Sequence, residues 1–201
     1  MRRILLLVLC LALAFGAAVS SAQDAAKKSE FSLTKGDTLT AAEDSAVRAT
    51  LLSYLAAVQK LDWKKAATYV DRESFLAAVE PLVAGAAPDP ALRADKRREI
   101  FGVSTYDSLE KKPLPDLFFS MMTYAMSVDP TRVAILEKAQ IELIGSRKVR
   151  GKVHVAYSLT LPAESDTLQP YVSVTADRLR KVGDDWKIVI IQEHGTAQGE
   201  P

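Results

Sequence analysis

Four segments that follow Pro130 constrain the fold more than any other feature of the sequence. They are rich in Val, Ile, Thr and Tyr, which favour β-strands, and short polar or glycine-containing stretches separate them. The separators are Gly145-Ser146, residues 162–166 and Gly183-Asp184. Short connections between consecutive strands favour hairpins, so the pattern predicts an antiparallel four-stranded meander. Its strands would come from residues 131–145, 148–162, 169–183 and 184–195.

The second segment alternates between apolar and polar residues, as a strand with one buried face does. Val153, Val155 and Tyr157 fall on one face, and His154 falls on the other. The last segment breaks this pattern, because residues 188–191 are all apolar. Both faces of the last strand therefore need a cover.

The segment before Pro130 has a helical pattern. Thr40 and Glu43 form a capping box, in which two unpaired backbone donors at a helix start are satisfied. Asp62 is a suitable N-cap for a short second helix that carries Trp63 inward. The apolar residues of the first helix recur at helical spacing and form one stripe: Val47, Leu51, Tyr54, Leu55 and Val58.

Asp71 is the predicted N-cap of a third helix, which Pro81 should end or kink and Gly85 should close. A weakly amphipathic helix follows, and residues 103–116 have the Ser, Lys and Pro content of a loop. Residues 116–129 form a further predicted helix that has almost no polar face. A helix that is apolar all round must be covered all round, so we expect it in the core or beside a pocket.

The chain begins with the features of a secretory signal peptide. Arg2 and Arg3 precede an apolar run, and small residues at positions 20–22 offer a cleavage site. An uncleaved anchor is a weaker alternative, since a spanning helix needs roughly 20 apolar residues. Lipidation at Cys10 is another, because a small residue should precede a lipidated cysteine and Leu9 stands there instead. The predicted organisation is a signal peptide (1–22), a flexible lead-in (23–39), one α+β domain (40–194) and a polar tail (195–201). We therefore expect a periplasmic or secreted protein with no membrane span after cleavage.

Composition excludes several classes of function. Cys10 is the only cysteine, so the mature chain holds no disulfide, no thiolate metal site and no cysteine nucleophile. The formal net charge of +1 becomes −1 once Arg2 and Arg3 are removed, which gives no basic excess for nucleic acid. His154 and His194 are the only histidines and have no metal-spaced neighbours, and no phosphate-binding or hydrolase motif is present. We predict no cofactor and no metal.

The order of elements resembles the nuclear-transport-factor-2-like superfamily. The residues that carry the resemblance are "YLAAVQKLDWKKAATYV" (54–70) and the ending Trp186-Lys187-Ile188. The resemblance implies N-terminal helices packed on a strongly bent C-terminal antiparallel sheet with a cavity between them. It also implies that the outer face of the sheet pairs subunits. Residues 71–128 depart from the family pattern, because an early hairpin is common there and the sequence shows helices and loops.

The resemblance gives one interpretation of the last strand. Trp186, Ile188 and Ile190 would face the helices, and a second copy of the chain would cover Val189 and Ile191 on the outer face. The alternative interpretation is that helices from residues 71–128 shield a central strand. A homodimer is expected in the first case only.

An apolar pocket between sheet and helices is the predicted site. Met side chains repack around varied shapes, so the helix 116–129 is suited to line it; ordinary core packing is the competing interpretation. The candidate residues are Tyr54, Trp63, Phe118, Met121, Met122, Tyr124, Met126 and Tyr157.

The sequence contains no recognisable catalytic set, and fold alone does not fix function. We therefore expect an exported, non-enzymatic protein that binds a small apolar ligand or a protein partner. One alternative is a cofactor-free isomerase or dehydratase that uses a cavity tyrosine with Asp177. The other is a structural envelope protein with a filled core.

Overall fold

The structure is a computed structural model that describes residues 37–128, 137–161 and 171–190. The predicted signal peptide, the polar tail and Ile191 lie outside these ranges. Helices come first and a sheet follows, which confirms the α+β class. The helices are α1 (Ala41–Gln59), α2 (Trp63–Ala67), α3 (Arg72–Ala86), α4 (Arg93–Phe101), α5 (Tyr106–Glu110) and α6 (Leu114–Val128), with a 3-10 turn at Pro90–Leu92. The strands are β1 (Gln140–Val149), β2 (Lys152–Leu161), β3 (Tyr171–Val182) and β4 (Asp185–Val189).

The strands form one four-stranded sheet in the order β1-β2-β3-β4, and each neighbouring pair is antiparallel, as predicted. The first hairpin turn differs from the prediction. It lies at Arg150-Gly151, where φ is 51° and 76°, and not at Gly145-Ser146. Positive φ at both central residues is the requirement of a type I′ turn, which a two-residue hairpin favours. Gly145 instead lies in β1, beside a register shift between Leu143 and Gly145.

The predicted caps of the first helices are present. Thr40 accepts a hydrogen bond from the Glu43 amide, and the Glu43 carboxylate accepts one from the Thr40 amide. The Asp62 side chain accepts from the Lys65 amide at the start of α2, and Asp71 accepts from the Ser74 amide at the start of α3. The apolar stripe of α1 is buried throughout: Val47, Leu51, Tyr54, Leu55 and Val58.

The structure corrects two local predictions between residues 71 and 116: Pro81 does not end its helix, and the predicted loop contains a helix. Helix α3 continues through Pro81 to Ala86, because the face that loses a hydrogen bond at Ala77 is exposed while Leu82 and Val83 anchor the last turn in the core. Residues 106–110 form helix α5 within the predicted loop, since the Thr105 hydroxyl accepts from the Ser108 amide and Leu109 is fully buried.

Helix α6 is buried on one face only. Leu117, Phe118, Met121 and Met122 face the core, whereas 45% of Phe119 is exposed. The expectation that this helix is covered all round is therefore wrong. The Lys64 ammonium lies 5.8 Å from the centre of the Phe119 ring, which gives this exposed aromatic a cation–π contact.

Backbone segments from the helical half of the chain cover part of both edges of the sheet. Asp37, within the predicted lead-in, exchanges two backbone hydrogen bonds with Lys148 of β1. On the opposite edge, Val70 forms a parallel bridge with Ile188 of β4. The Asp71 amide donates to the Ile188 carbonyl and the Ile188 amide donates to the Tyr69 carbonyl, both at 2.8 Å. The edges that invite pairing with another chain are thus partly occupied.

The last strand is covered from two directions. The Ile188 side chain is fully buried on the inner face of β4, and Trp186 and Ile190 pack against the same core. Val189 lies on the outer face and is half-buried. The start of α3 reaches this strand, since the Ser74 hydroxyl accepts from the Ile190 amide. Strand β4 is the last strand of the sheet, so the alternative of a shielded central strand is wrong, and the homodimer that would cover Val189 stays a prediction.

Candidate functional site

Register places a carboxylate beside a tyrosine on the inner face of the sheet. Asp177 of β3 pairs with Val155 of β2, and Tyr157 follows Val155 by two residues on the same face. The Tyr157 hydroxyl donates a 2.9 Å hydrogen bond to Asp177 Oδ2. Tyr54 of α1 lies in the same hydrophobic core. Both tyrosines are 1% exposed and Asp177 is 7% exposed, so this buried tyrosine–aspartate cluster lies within the protein interior.

Burial controls the acidity of the cluster. It raises the pKa of Asp177 to about 7, although the hydrogen bond from Tyr157 acts in the opposite direction. Burial also raises the pKa of Tyr54 and of Tyr157 well above the ordinary value, and the negative charge of Asp177 adds to the rise. Both phenols therefore remain protonated donors, while Asp177 exchanges its proton near neutral pH. This is the behaviour of an acid–base pair.

The predicted pocket residues belong largely to the core. Tyr54, Trp63, Phe118, Met121, Met122 and Tyr157 are all at most 7% exposed. Tyr124 and Met126 are half-buried and pack against the same core. The centres of the Phe118 and Phe75 rings are 5.9 Å apart, and the Lys96 ammonium lies 5.4 Å from the centre of the Tyr124 ring. The structure thus brings the predicted residues into one core, and their role as a ligand pocket stays a prediction.

A surface groove of about 510 Å³ lies between the start of α1 and strand β1. We call it the α1–β1 groove. None of the predicted pocket residues contributes to it. Its lining combines hydroxyl, charged and apolar side chains: Thr38, Leu39, Ala41, Asp44, Arg48, Ile144, Gly145, Ser146 and Arg147.

A polar network braces this groove. The Asp44 carboxylate accepts hydrogen bonds from Arg48 Nε at 2.7 Å and from the Ser146 hydroxyl. The bond from Ser146 lowers the pKa of Asp44 most; burial acts against it, and Arg48 lowers the pKa further. Across the groove, Arg147 donates to the Thr38 hydroxyl at 3.1 Å. Asp44 is therefore a carboxylate at neutral pH that ties α1 to β1.

Sequence reasoning missed the groove. The spacing of Asp44 and Arg48 is the usual signature of a helical ion pair, which gives no hint of a partner in the sheet. The sequence predicts a turn at Gly145 and Ser146. The register shift leaves Ile144 unpaired and moves the alternation of β1 side chains by one residue, so Ser146 lies on the same face as Val155 and faces α1. The strand irregularity is the feature that forms one wall of the groove.

Known proteins offer no assignment. No protein-family model, no curated protein and no solved structure matches this chain. Among the described residues, no cluster of His, Cys, Asp and Glu side chains is arranged to hold a metal ion. The helices within those residues include none with the length and apolar character needed to cross a membrane.

Proposed function

We propose that this protein is an exported binding protein without catalytic activity, and that it takes its ligand at the α1–β1 groove. The observation that carries the proposal is the open groove of about 510 Å³, which falls within the roughly 300–1,000 Å³ of small-molecule sites. The apolar residues predicted to line a pocket are packed into the core instead. Membership of the nuclear-transport-factor-2-like superfamily and a periplasmic or secreted location are parts of the same proposal.

The lining suggests the chemistry of the ligand. Leu39 and Ile144 provide apolar surface, and 53% of Ile144 is exposed. Thr38, Ser146 and the charged side chains surround this surface with hydrogen-bonding groups. A ligand with both apolar and polar groups fits such a lining better than a purely apolar one. A small molecule that carries an apolar part and several hydrogen-bonding groups meets this description.

The groove is organised before any ligand arrives. The charge of Asp44 is already paired with Arg48, and Ser146 donates a hydrogen bond to the same carboxylate, so a ligand does not have to desolvate an unpaired Asp44. The bond from Ser146 also joins β1 to α1. Preorganisation of this kind increases affinity because less freedom is lost on binding.

The test is a fragment screen by two-dimensional NMR on ¹⁵N-labelled mature protein. Amide shifts should change at Thr38, Ala41 and residues 144–147. Ala41 is exposed at the start of α1 and lines the groove, so Ala41→Trp should fill it and weaken binding by about tenfold or more, equal to about 1.4 kcal/mol.

Ala46→Trp is the matched control, because Ala46 is exposed on the same helix and is absent from the groove lining. It should leave binding unchanged. Shifts that cluster around Tyr54 and Tyr157 would show that the interior is the binding site. Equal binding by the two variants would refute the groove assignment.

The Tyr157–Asp177 hydrogen bond favours a second candidate, an acid–base enzyme such as a cofactor-free isomerase or dehydratase. An acid that exchanges its proton near pH 7 beside a protonated phenol is suited to moving a proton on a carbonyl substrate. Turnover of a panel of enolisable ketones and β-hydroxy carbonyl compounds tests this candidate. Activity that disappears in a folded Asp177→Asn variant would replace the binding proposal with the enzyme.

A further inference from the structure

The α1–β1 groove contains a guanidinium group that is only partly used. Arg48 lines the groove, and 34% of its side chain is exposed. Its Nε donates to Asp44 Oδ2 at 2.7 Å. Nη1 and Nη2 form no hydrogen bond with any residue that the structure describes. A guanidinium has five N–H donors, so four donors of Arg48 remain available to a ligand.

The available nitrogens of Arg48 are accessible from outside the protein. In the part of the chain that the structure describes, the one buried side-chain nitrogen or oxygen that lacks a hydrogen-bond partner is Nε of Arg180. The unpaired nitrogens of Arg48 are therefore not buried. Because Arg48 also lines the groove, a small molecule bound there can contact them.

The other polar side chains of the groove leave few acceptors for a ligand. Each carboxylate oxygen of Asp44 already accepts a hydrogen bond, Oδ2 from Arg48 and Oδ1 from the Ser146 hydroxyl. The Thr38 hydroxyl accepts from Arg147 and can still donate its own proton. The groups that remain for a ligand are therefore mainly donors. This inventory favours a ligand with acceptor oxygens over a ligand with an amine.

Asp44 limits the charge that such a ligand can carry. The hydrogen bond from Ser146 lowers the pKa of Asp44 most, so this side chain is ionised at neutral pH. Its negative charge lies against the same guanidinium that offers the available donors. A ligand with two negative charges would be repelled by Asp44 more strongly than a ligand with one. A single ionised acid group on the ligand is the better match.

Apolar surface lies in the same groove as the guanidinium. Ile144 is left unpaired by the register shift in β1, and 53% of it is exposed. Leu39 is half-buried, and Ala41 is exposed at the start of α1. All three residues line the groove. A ligand that covers Ile144 removes exposed apolar area from water, which favours a ligand with an apolar body beside its charged group.

We infer that the α1–β1 groove selects small monocarboxylic acids with an apolar body, and that Nη1 and Nη2 of Arg48 bind the carboxylate. The inference rests on the proposed function, because it names the ligand class of the same groove. Bidentate binding of a carboxylate needs two parallel N–H donors. The edge formed by Nη1 and Nη2 supplies them, since Nε is already engaged by Asp44.

The experiment is an NMR titration of ¹⁵N-labelled mature protein with hexanoate, and with hexanamide as a neutral ligand of similar shape. Hexanoate should shift the amides of Thr38 and residues 144–147 and bind about tenfold or more tightly than hexanamide, equal to about 1.4 kcal/mol. Arg48→Gln should remove this preference and leave hexanamide binding within about twofold. Arg48→Lys retains a positive charge beside Asp44 but loses the planar edge, so it should also lose most of the preference.

Arg98→Gln is the matched control. It makes the same substitution at an exposed arginine of α4 that is paired with Asp95, and Arg98 is absent from the groove lining. The variant removes the same charge from the protein surface, so it should leave the preference for hexanoate unchanged.

The outcomes separate the carboxylate site from the groove assignment. A preference for hexanoate that is lost in Arg48→Gln and retained in Arg98→Gln supports the carboxylate site. Equal binding of hexanoate and hexanamide at the groove, or a preference that survives Arg48→Gln, overturns the carboxylate site and leaves the groove assignment intact. Tighter binding of hexyl phosphate, a dianion, or no shift with hexanoate, also overturns the carboxylate site alone. Hexanoate shifts that cluster around Tyr54 and Tyr157 overturn both.

Discussion

Replacement of Asp177 by asparagine should change how stability depends on pH. In the native protein, burial raises the pKa of Asp177 from its ordinary value of 3.8 to about 7. Between these two values the unfolded chain loses its proton and the folded chain retains it. The stability associated with Asp177 is therefore complete below pH 3.8 and is lost as the pH rises to about 7.

The size of this loss follows from the two pKa values. The gap between 3.8 and about 7, at about 1.36 kcal/mol for each pH unit, amounts to about 4 kcal/mol. An asparagine side chain has no proton to lose in this range and still offers an oxygen to the Tyr157 hydroxyl. Any constant effect of Asp177→Asn on packing is the same at every pH.

Urea unfolding of both proteins between pH 4 and pH 8 measures the effect. The difference in the free energy of unfolding should shift in favour of Asp177→Asn by about 4 kcal/mol across this range. Other groups titrate in both proteins and cancel in the difference. Tyr157→Phe removes the hydrogen bond that lowers the pKa of Asp177, so its loss of stability should extend to higher pH. A difference between wild type and Asp177→Asn that stays constant from pH 4 to pH 8 would refute the reasoning.

Two further predictions concern packing and ion pairs. Arg180→Ala should destabilise the fold by about 2 kcal/mol in urea unfolding, because it leaves the buried Asp71 carboxylate without its 2.8 Å partner. Glu73→Gln is the control: Glu73 is the exposed carboxylate that contacts Arg180, and this variant should change stability by less than about 0.5 kcal/mol. Phe118→Ala should lower the free energy of unfolding by about 3–5 kcal/mol, since Phe118 is fully buried, and Phe119→Ala on the exposed face should lower it by less than about 1 kcal/mol. Equal effects of the last two variants would contradict the orientation of α6.

Features that depend on a few neighbouring residues could be predicted from the sequence. The caps at Thr40, Asp62 and Asp71 were identified correctly because their hydrogen bonds reach only three residues along the chain. The meander was identified because consecutive strands paired through short connections. The same local reasoning assigned Gly145 to a turn, since a glycine beside a strand irregularity and a glycine in a turn have the same appearance in a sequence.

Features that depend on distant residues could not be predicted. Asp44 and Ser146 meet across 102 positions, so neither the α1–β1 groove nor its braced carboxylate has a sequence signature. The enzyme alternative combines Asp177 with a cavity tyrosine, but the hydrogen bond between Asp177 and Tyr157 depends on the register between β2 and β3. A register that differed by one residue would put Tyr157 and Asp177 on opposite faces of the sheet.

The pairing of Tyr69 and Asp71 with Ile188 has a consequence for the order in which the molecule can form. A ribosome makes residue 69 long before residue 188, so the backbone groups on either side of Val70 must remain solvated until the final strand exists. The start of α3 likewise gains the contact between Ser74 and Ile190 across 116 positions only at that stage. Closing such distant contacts is slow, because a long loop must be ordered first. The helical half therefore lacks some of its hydrogen bonds until synthesis reaches β4. Loss of β4 would leave the Tyr69 carbonyl and the Asp71 amide without these partners and would also expose the edge of β3.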